Sequence, residues 1–327
     1  MLRLNKPVLL SAVAVLTAAC VFLPRAQRAF AQQAAQPSKP PQNEQSDAIF
    51  PADTNLVLLP VSVLDKTGKL VTNLPQSAFK VYENGVEQPI KLFRHEDVPV
   101  SMGIIIDNSG SMRDKRAKVA AASLALVKAS NPDDEVFIVN FNDVAYLDQP
   151  FTSDIKKLEE VLDRIDSRGG TAMWDAINLS IDYEKDHAKR EKKVLLVVTD
   201  GNNNASEITL DQLAHKAQQS DVLIYAIGLL SDEDPHDARE ARKALKLLTG
   251  NSGGLEFYPK DVAEIDKITP QIAHEIRSQY MLGYLPLNPA MDGTFRKITV
   301  VLNGYKATVR TRNGYYATAT GAKTGSK

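Results

Sequence analysis

Residues 100–111 read Val-Ser-Met-Gly-Ile-Ile-Ile-Asp-Asn-Ser-Gly-Ser, and residues 193–201 read Lys-Val-Leu-Leu-Val-Val-Thr-Asp-Gly. Each is a nearly continuous apolar run that stops abruptly at a carboxylate and small polar residues. A half-exposed strand alternates apolar and polar side chains, whereas a strand covered on both faces is apolar throughout, so both runs read as central strands of a sheet with helices on each side. Working outward, residues 113–129 have helical spacing, 135–141 form the next strand, a hairpin centres on Tyr146, and 153–165 and 172–187 are helical. Beyond the second run come a helix at 210–219, a strand at 222–227, and a helix at 235–248 with Asp234 as N-cap and Pro235 in its first turn. A short strand at 255–258 and a helix at 262–279 close the series. Strands alternating with helices in this way predict an α/β domain over 99–279, with a doubly wound, mostly parallel sheet.

On both sides of that domain the period changes to two. Before it, runs at 56–64, 79–82 and 86–94 are separated by Asp65-Lys66-Thr67-Gly68 and Glu83-Asn84-Gly85; after it, runs at 281–285, 295–302 and 306–311 are separated by Asp292-Gly293 and Asn303-Gly304. Asn-Gly between β-rich runs is a strong hairpin signal. Three strands on either side are too few for an independent sheet. The expectation is therefore one small antiparallel β-sandwich, its halves at 54–98 and 280–318, into which the α/β domain is inserted.

The chain has 327 residues, with 39 Lys+Arg against 40 Asp+Glu, a net charge of −1 and 43% apolar residues. That balance excludes a nucleic-acid binder, which needs a basic excess, and a disordered chain, which is poorer in apolar residues. Residues 1–31 place Arg3 and Lys6 ahead of the apolar run 7–23 and end in Ala29-Phe30-Ala31, the order of a secretory signal peptide. The expected location is secreted, periplasmic or in the cell envelope, with no membrane span after cleavage; an uncleaved anchor is the alternative. The one cysteine, Cys20, lies in that segment, so the exported chain would hold together by packing without a disulfide. Residues 32–53, rich in Gln, Pro and Ala, read as a flexible linker, and 319–327 as a disordered tail.

In open α/β sheets the chemistry sits in the loops beyond the carboxyl ends of the strands. Asp107, Ser109 and Ser111 follow one strand and Asp200 follows the other, while Arg168-Gly169-Gly170-Thr171 opens a helix between them. All five groups are hard oxygen donors, suited to Mg²⁺ or Mn²⁺ rather than zinc. The competing reading is that these residues merely cap helices, a role that Asp, Ser and Thr also favour.

The pattern Asp-x-Ser-x-Ser, then Gly-Gly-Thr, then Thr-Asp-Gly resembles the metal-ion-dependent adhesion site of von Willebrand factor type A domains, over about residues 99–279. The resemblance implies that Ser109, Ser111 and Thr171 ligate a metal through hydroxyls and that Asp107 and Asp200 act directly or through water. The flanking segments Phe79-Lys80-Val81-Tyr82-Glu83-Asn84-Gly85 and Gln279-Tyr280-Met281-Leu282-Gly283-Tyr284 resemble those of the acidobacterial subgroup of such proteins. Only two of the five ligands carry charge, so an outside carboxylate can complete the metal's shell. The resulting expectation is an exported, non-enzymatic binding protein that engages an Asp or Glu of a protein partner through Mg²⁺.

Two other functions compete with this reading: a metal-dependent hydrolase, and a scaffold whose site is vestigial. Hydrolysis wants a positioned base or nucleophile. The five histidines are scattered without a metal-binding spacing, and neither a nucleophile elbow nor a phosphate-binding loop is present. Ser231-Asp232-Glu233-Asp234 reads as a solvated loop that complements the dipole of the following helix, and Trp174 as a core anchor.

Overall fold

The computed structural model describes residues 56–318 apart from 96, 130, 164–166 and 202; the expected signal segment, linker and tail lie outside the described residues. In chain order the first strands are β1 (Val57–Leu64), β2 (Phe79–Glu83), β3 (Val86–Gln88) and β4 (Ile90–Arg94). The α/β portion follows as β5 (Val100–Asp107), α1 (Arg116–Lys128), β6 (Glu135–Phe141), β7 (Ala145–Thr152), α2 (Ile155–Asp163), α3 (Met173–His187) and β8 (Lys192–Thr199). It continues with α4 (Leu210–Gln219), β9 (Val222–Gly228), α5 (Pro235–Ser252), β10 (Glu256–Phe257) and α6 (Ile265–Arg277). The last strands are β11 (Tyr280–Tyr284), β12 (Phe295–Leu302), β13 (Thr308–Arg310) and β14 (Gly314–Tyr316).

The central sheet has the order β10-β9-β8-β5-β6-β7, parallel except for the edge strand β7. Every residue of β5 is buried, and every residue of β8 but Lys193, as the two apolar runs that decide the fold require; β6 and β9 are buried throughout. Successive side chains alternate between two cores. Met102, Ile104, Ile106, Leu196 and Tyr225 pack under α1, α2 and α6, while Ile105, Phe137, Leu195, Val197 and Ile224 pack under α3, α4 and α5. Gly103 points at the second core where Phe137 already fills the space: a Cβ there would lie 2.3 Å from the Phe137 ring. Trp174 is buried in the same core, in the anchoring role its place in the sequence suggests.

The flanking strands form two four-stranded antiparallel sheets, β13-β1-β11-β4 and β14-β12-β2-β3, each mixing strands from before and after the insertion. Leu59, Val61, Phe79, Val81, Tyr280, Leu282, Ile298 and Val300 fill the space between them. Glu83, buried on β2, accepts hydrogen bonds from Tyr284 Oη at 2.8 Å and Tyr315 Oη at 2.9 Å, tying the two halves of the sandwich together.

Several boundaries differ from the sequence reading. The run 86–94 is two strands: at Pro89, which cannot donate to a ladder, the chain leaves one sheet and joins the other. A fourth C-terminal strand, β14, is added. Residues 110–112 and 262–264 form 3₁₀ turns ahead of α1 and α6, so both helices are shorter than their apolar spacing suggests.

A buried polar cluster joins the sandwich to the α/β portion. Glu275 of α6 accepts from Ser62 Oγ of β1 at 3.2 Å and from Tyr225 Oη of β9 at 3.1 Å, and it pairs with Arg310 of β13. Gln279 Nε2 donates to Ser62 Oγ at 3.1 Å and to Tyr225 Oη at 3.2 Å. A second buried acid has no such company. Glu184 on α3 is fully buried with neither carboxylate oxygen hydrogen-bonded; burial, reinforced by the charges of Asp221 and Glu135 and only partly offset by Lys193, pushes it up to about 9.

Candidate metal centre

Strands β5 and β8 are adjacent and parallel, with Ile106 opposite Val198, so their carboxyl ends coincide and set Asp107 beside Asp200. Both acids are completely buried. Asp107 is held from two sides: Thr199 Oγ1 donates to its Oδ2 at 2.6 Å, and the Ser109 amide donates to its Oδ1 at 2.9 Å. Ser111 Oγ donates to Asp200 Oδ1 at 2.8 Å and lies 3.1 Å from Ser109 Oγ. Ser109 is buried while Ser111 is exposed, so the opening is on the Ser111 side. Thr171 is buried just ahead of α3, and its Oγ1 faces the turn after Asp200, 4.0 Å from where a Cβ on Gly201 would stand. The structure thus brings all five expected residues to one edge of the sheet.

Capping does not explain them. Ser109 makes no side-chain cap hydrogen bond at the 3₁₀ turn it precedes, α1 begins four residues beyond the end of that turn, and the start of α3 also lacks a side-chain cap. The hydroxyls of Ser109 and Ser111 turn toward each other, Ser111 donating to Asp200 and Ser109 to Asp107.

Bringing two carboxylates together out of water is costly. Burial raises Asp107 to about 6; hydrogen bonds from Ser109 and Thr199 oppose the shift, and the charge of Asp200 adds to it. Part of the excess negative charge is met by Lys115, a residue that sequence reasoning missed. Its Nζ lies 2.8 Å from Asp200 Oδ2 and 3.4 Å from Asp232 Oδ2, with the side chain 13% exposed. The acidic run 231–234 also does more than complement a dipole. Asp234 caps α5 by accepting from the His236 amide at 2.8 Å, whereas Glu233 Oε1 approaches the Asp200–Gly201 turn and is raised by burial and then by the charge of Asp200.

Other unanticipated residues position the loops. Gly170 N donates to Asp143 Oδ1 at 2.7 Å. Gly169 has φ +77°, and a Cβ there would lie 2.2 Å from Asp143 Oδ2, so both the backbone conformation and the space demand glycine. The Thr171 amide donates to Asn204 Oδ1 at 2.8 Å, and the Trp174 amide to Asn203 Oδ1 at 3.2 Å and Ser206 Oγ at 3.0 Å. Gly110 N donates to the Gly169 carbonyl at 3.2 Å, which ties the first loop to the second. The one hint of this in the sequence is the run Asn202-Asn203-Asn204, side chains that readily bond to backbone in loops.

Residues 102–271, just over half the chain, match the family model of the von Willebrand factor type A domain. The chain belongs to that family. The chain is also similar to a protein of Borreliella burgdorferi described as uncharacterized, at 33% identity over 105 residues, which cover 31% of this chain and 30% of that relative. The chain therefore spans less than a third of the length of that curated relative. Among solved structures it resembles an aerotolerance-related membrane protein of Bacteroides fragilis (21% identity, covering 54% of this chain and 98% of the other, TM-score 0.46). It also resembles the vWF domain of the type V pili tip protein Mfa5 of Porphyromonas gingivalis (14% identity, 55% and 97%, TM-score 0.45). A third is mussel byssus proximal thread matrix protein 1 with a zinc-occupied MIDAS motif (17% identity, 59% and 49%, TM-score 0.46). Among the described residues of the type A domain and its flanking sheets, no helix is long and apolar enough to cross a membrane.

Proposed function

We propose that the chain is an exported binding protein, non-enzymatic, whose type A domain holds Mg²⁺, or Mn²⁺ in its place, and uses it to engage an acidic group of a protein partner. The observation that carries this reading is the pair of fully buried carboxylates, Asp107 and Asp200, at adjacent strand ends, with the hydroxyls of Ser109 and Ser111 turned toward them instead of toward helix amides. That donor set is all hard oxygen, which suits a small divalent cation. A bound cation would supply a positive charge and an acceptor position for an external carboxylate. Asp107, Ser109, Ser111, Thr171 and Asp200 would hold it, while Asp143, Asn203 and Asn204 fix the loops that carry Thr171. Export is supported by the signal-like segment 1–31.

Calorimetric titration of Mg²⁺ into the purified protein tests the site. Wild type should bind one ion, and Asp107→Ala should lose that binding; equal binding by both proteins overturns the assignment. Pull-down from the source cell envelope with and without EDTA then tests the partner, whose capture should depend on the metal.

A further inference from the structure

Helix α5 carries a feature that metal binding leaves unused. Arg239, Arg242, Lys243 and Lys246 are all exposed and, with Pro235 and Ala238, line one shallow groove of about 300 Å³. Their spacing of three, four and seven places all four cations on one face of the helix. Arg239 faces Lys243 and Arg242 faces Lys246 at i,i+4, pairings that weaken a helix when the charges are alike. Several other helix and strand cations of the type A domain stand next to acids, as in Lys118–Asp266, Lys193–Asp221 and Lys216–Asp182. On this stripe only Lys243 has an ion-pair partner, Glu240 at 2.6 Å, and Arg242 lies over the Tyr258 ring, 4.4 Å from its centroid. Among the described residues, no carboxylate lies within ion-pair distance of Arg239, Arg242 or Lys246.

The stripe starts one turn into α5, beyond the acidic loop 231–234 that reaches the candidate metal centre. The loop holding Asp232 and Glu233, which reach Lys115 and the Asp200 turn, runs directly into Pro235 at the start of α5. From Pro235 to Lys246 the helix advances about 16 Å. An extended peptide advances about 3.3 Å per residue, so some five residues cover that distance.

We infer that the α5 stripe is the second half of the partner-binding surface and takes an acidic peptide segment: a carboxylate at the metal, then further Asp or Glu residues along Arg239, Arg242, Lys243 and Lys246. The inference rests on the proposed metal-dependent function for its anchor and adds the chemistry of the flanking sequence. A peptide whose metal-binding carboxylate is separated from its acidic tract by a few uncharged residues can pass the 231–234 loop and follow the groove down the side of the domain. A flat anionic membrane cannot touch the sheet edge and the flank together.

The test uses the purified protein, Mg²⁺ and two fluorescent peptides of about ten residues each, sized to cover the stripe. One is a Gly/Ser peptide with a single Asp; the other has the same Asp, a short Gly/Ser spacer and then several Glu. Wild type should bind the acidic-tract peptide about tenfold more tightly at low ionic strength, with the advantage shrinking as salt is added. Replacing Arg239, Arg242, Lys243 and Lys246 together by Gln, a good helix former, should abolish the advantage while leaving Mg²⁺ affinity, single-Asp binding and the circular dichroism melt unchanged. Equal affinity for the two peptides in wild type overturns the stripe and leaves the metal reading standing. Acidic-tract binding that needs the stripe but survives EDTA and Asp107→Ala supports the stripe and overturns the metal reading. Stripe-dependent binding to phosphatidylglycerol vesicles, with no preference between the peptides, overturns the inference in favour of a lipid surface.

Discussion

Glu184→Gln should stabilise the protein at neutral pH. In the folded chain the Glu184 carboxyl keeps its proton up to about 9, because burial penalises the charged form; once unfolded it titrates at the ordinary 4.5. A folded value raised above the unfolded one means that the group's contribution is fully present below about 4.5 and is lost progressively as the pH rises to about 9. Across that window the unfolded chain releases one proton that the folded chain retains, so the folding constant falls about tenfold per pH unit. By pH 7 the accumulated cost is about 3 kcal/mol, a large part of the stability of an ordinary domain. Glutamine has nearly the shape of the protonated acid and cannot ionise, so the substitution removes the cost without opening a cavity. Urea unfolding followed by circular dichroism at a series of pH values is the assay. Wild type and variant should coincide near pH 4 and separate steadily above it, with the variant more stable. Parallel stability profiles across the series would show that Glu184 is solvated or paired in solution and refute the reasoning.

Three further outcomes are expected. Because Asp107 is raised to about 6, chiefly by burial, protons compete for it, and Mg²⁺ affinity by calorimetry should drop about tenfold from pH 7 to pH 5; a flat profile counts against Asp107 as a ligand. Lys115→Met removes the ammonium that sits on Asp200, so Mg²⁺ affinity should rise several-fold; weaker binding would mean that Lys115 supports the occupied site instead of competing with it. Gly169→Ala must adopt φ +77° and displace Asp143, so it should destabilise the fold by about 1–3 kcal/mol and weaken Mg²⁺ binding as the Thr171 loop shifts; unchanged melting and affinity would refute that role for the loop.

Much of the architecture was legible because the decisive signals are local. A buried parallel strand announces itself by an unbroken apolar run, and residues 100–106 and 193–199 lie in the middle of the sheet as that rule requires. Four of the five candidate ligands could be found because they end or follow such a run, and adjacent parallel strands must bring their ends together; Thr171 follows no strand and was marked by Gly169-Gly170 ahead of a helix. What could not be read depends on how loops fold over one another. Lys115 meets Asp200 across 85 residues of sequence, and Asp143 reaches Gly170 across 27; nothing in either neighbourhood marks the partner. Glu233 lay in an acidic run whose simplest reading is solvation, and only the path of the β9–α5 loop turns it toward the site. The division of residues 86–94 at Pro89 was legible in principle, since proline cannot donate to a ladder, but alternation continues across it and masks the change of sheet. Strand β14 is short and flanked by Asn313, which hides it from any periodicity.

The insertion has a mechanical consequence. The chain enters the type A domain from β4 and leaves it into β11, and these two strands are hydrogen-bonded neighbours with Met281 opposite Arg94. Strand β11 in turn pairs antiparallel with β1, from Val57 opposite Tyr284 to Val61 opposite Tyr280. A partner tugging on the metal-site edge while the chain is held ahead of Val57 therefore pulls β11 and β1 from opposite ends. In that geometry the hydrogen bonds of the pair bear the tension side by side in shear and do not unzip one after another. The chain passes through the sandwich once before the type A domain and once after it, so under such a load the sandwich would act as a clamp at the base of that domain.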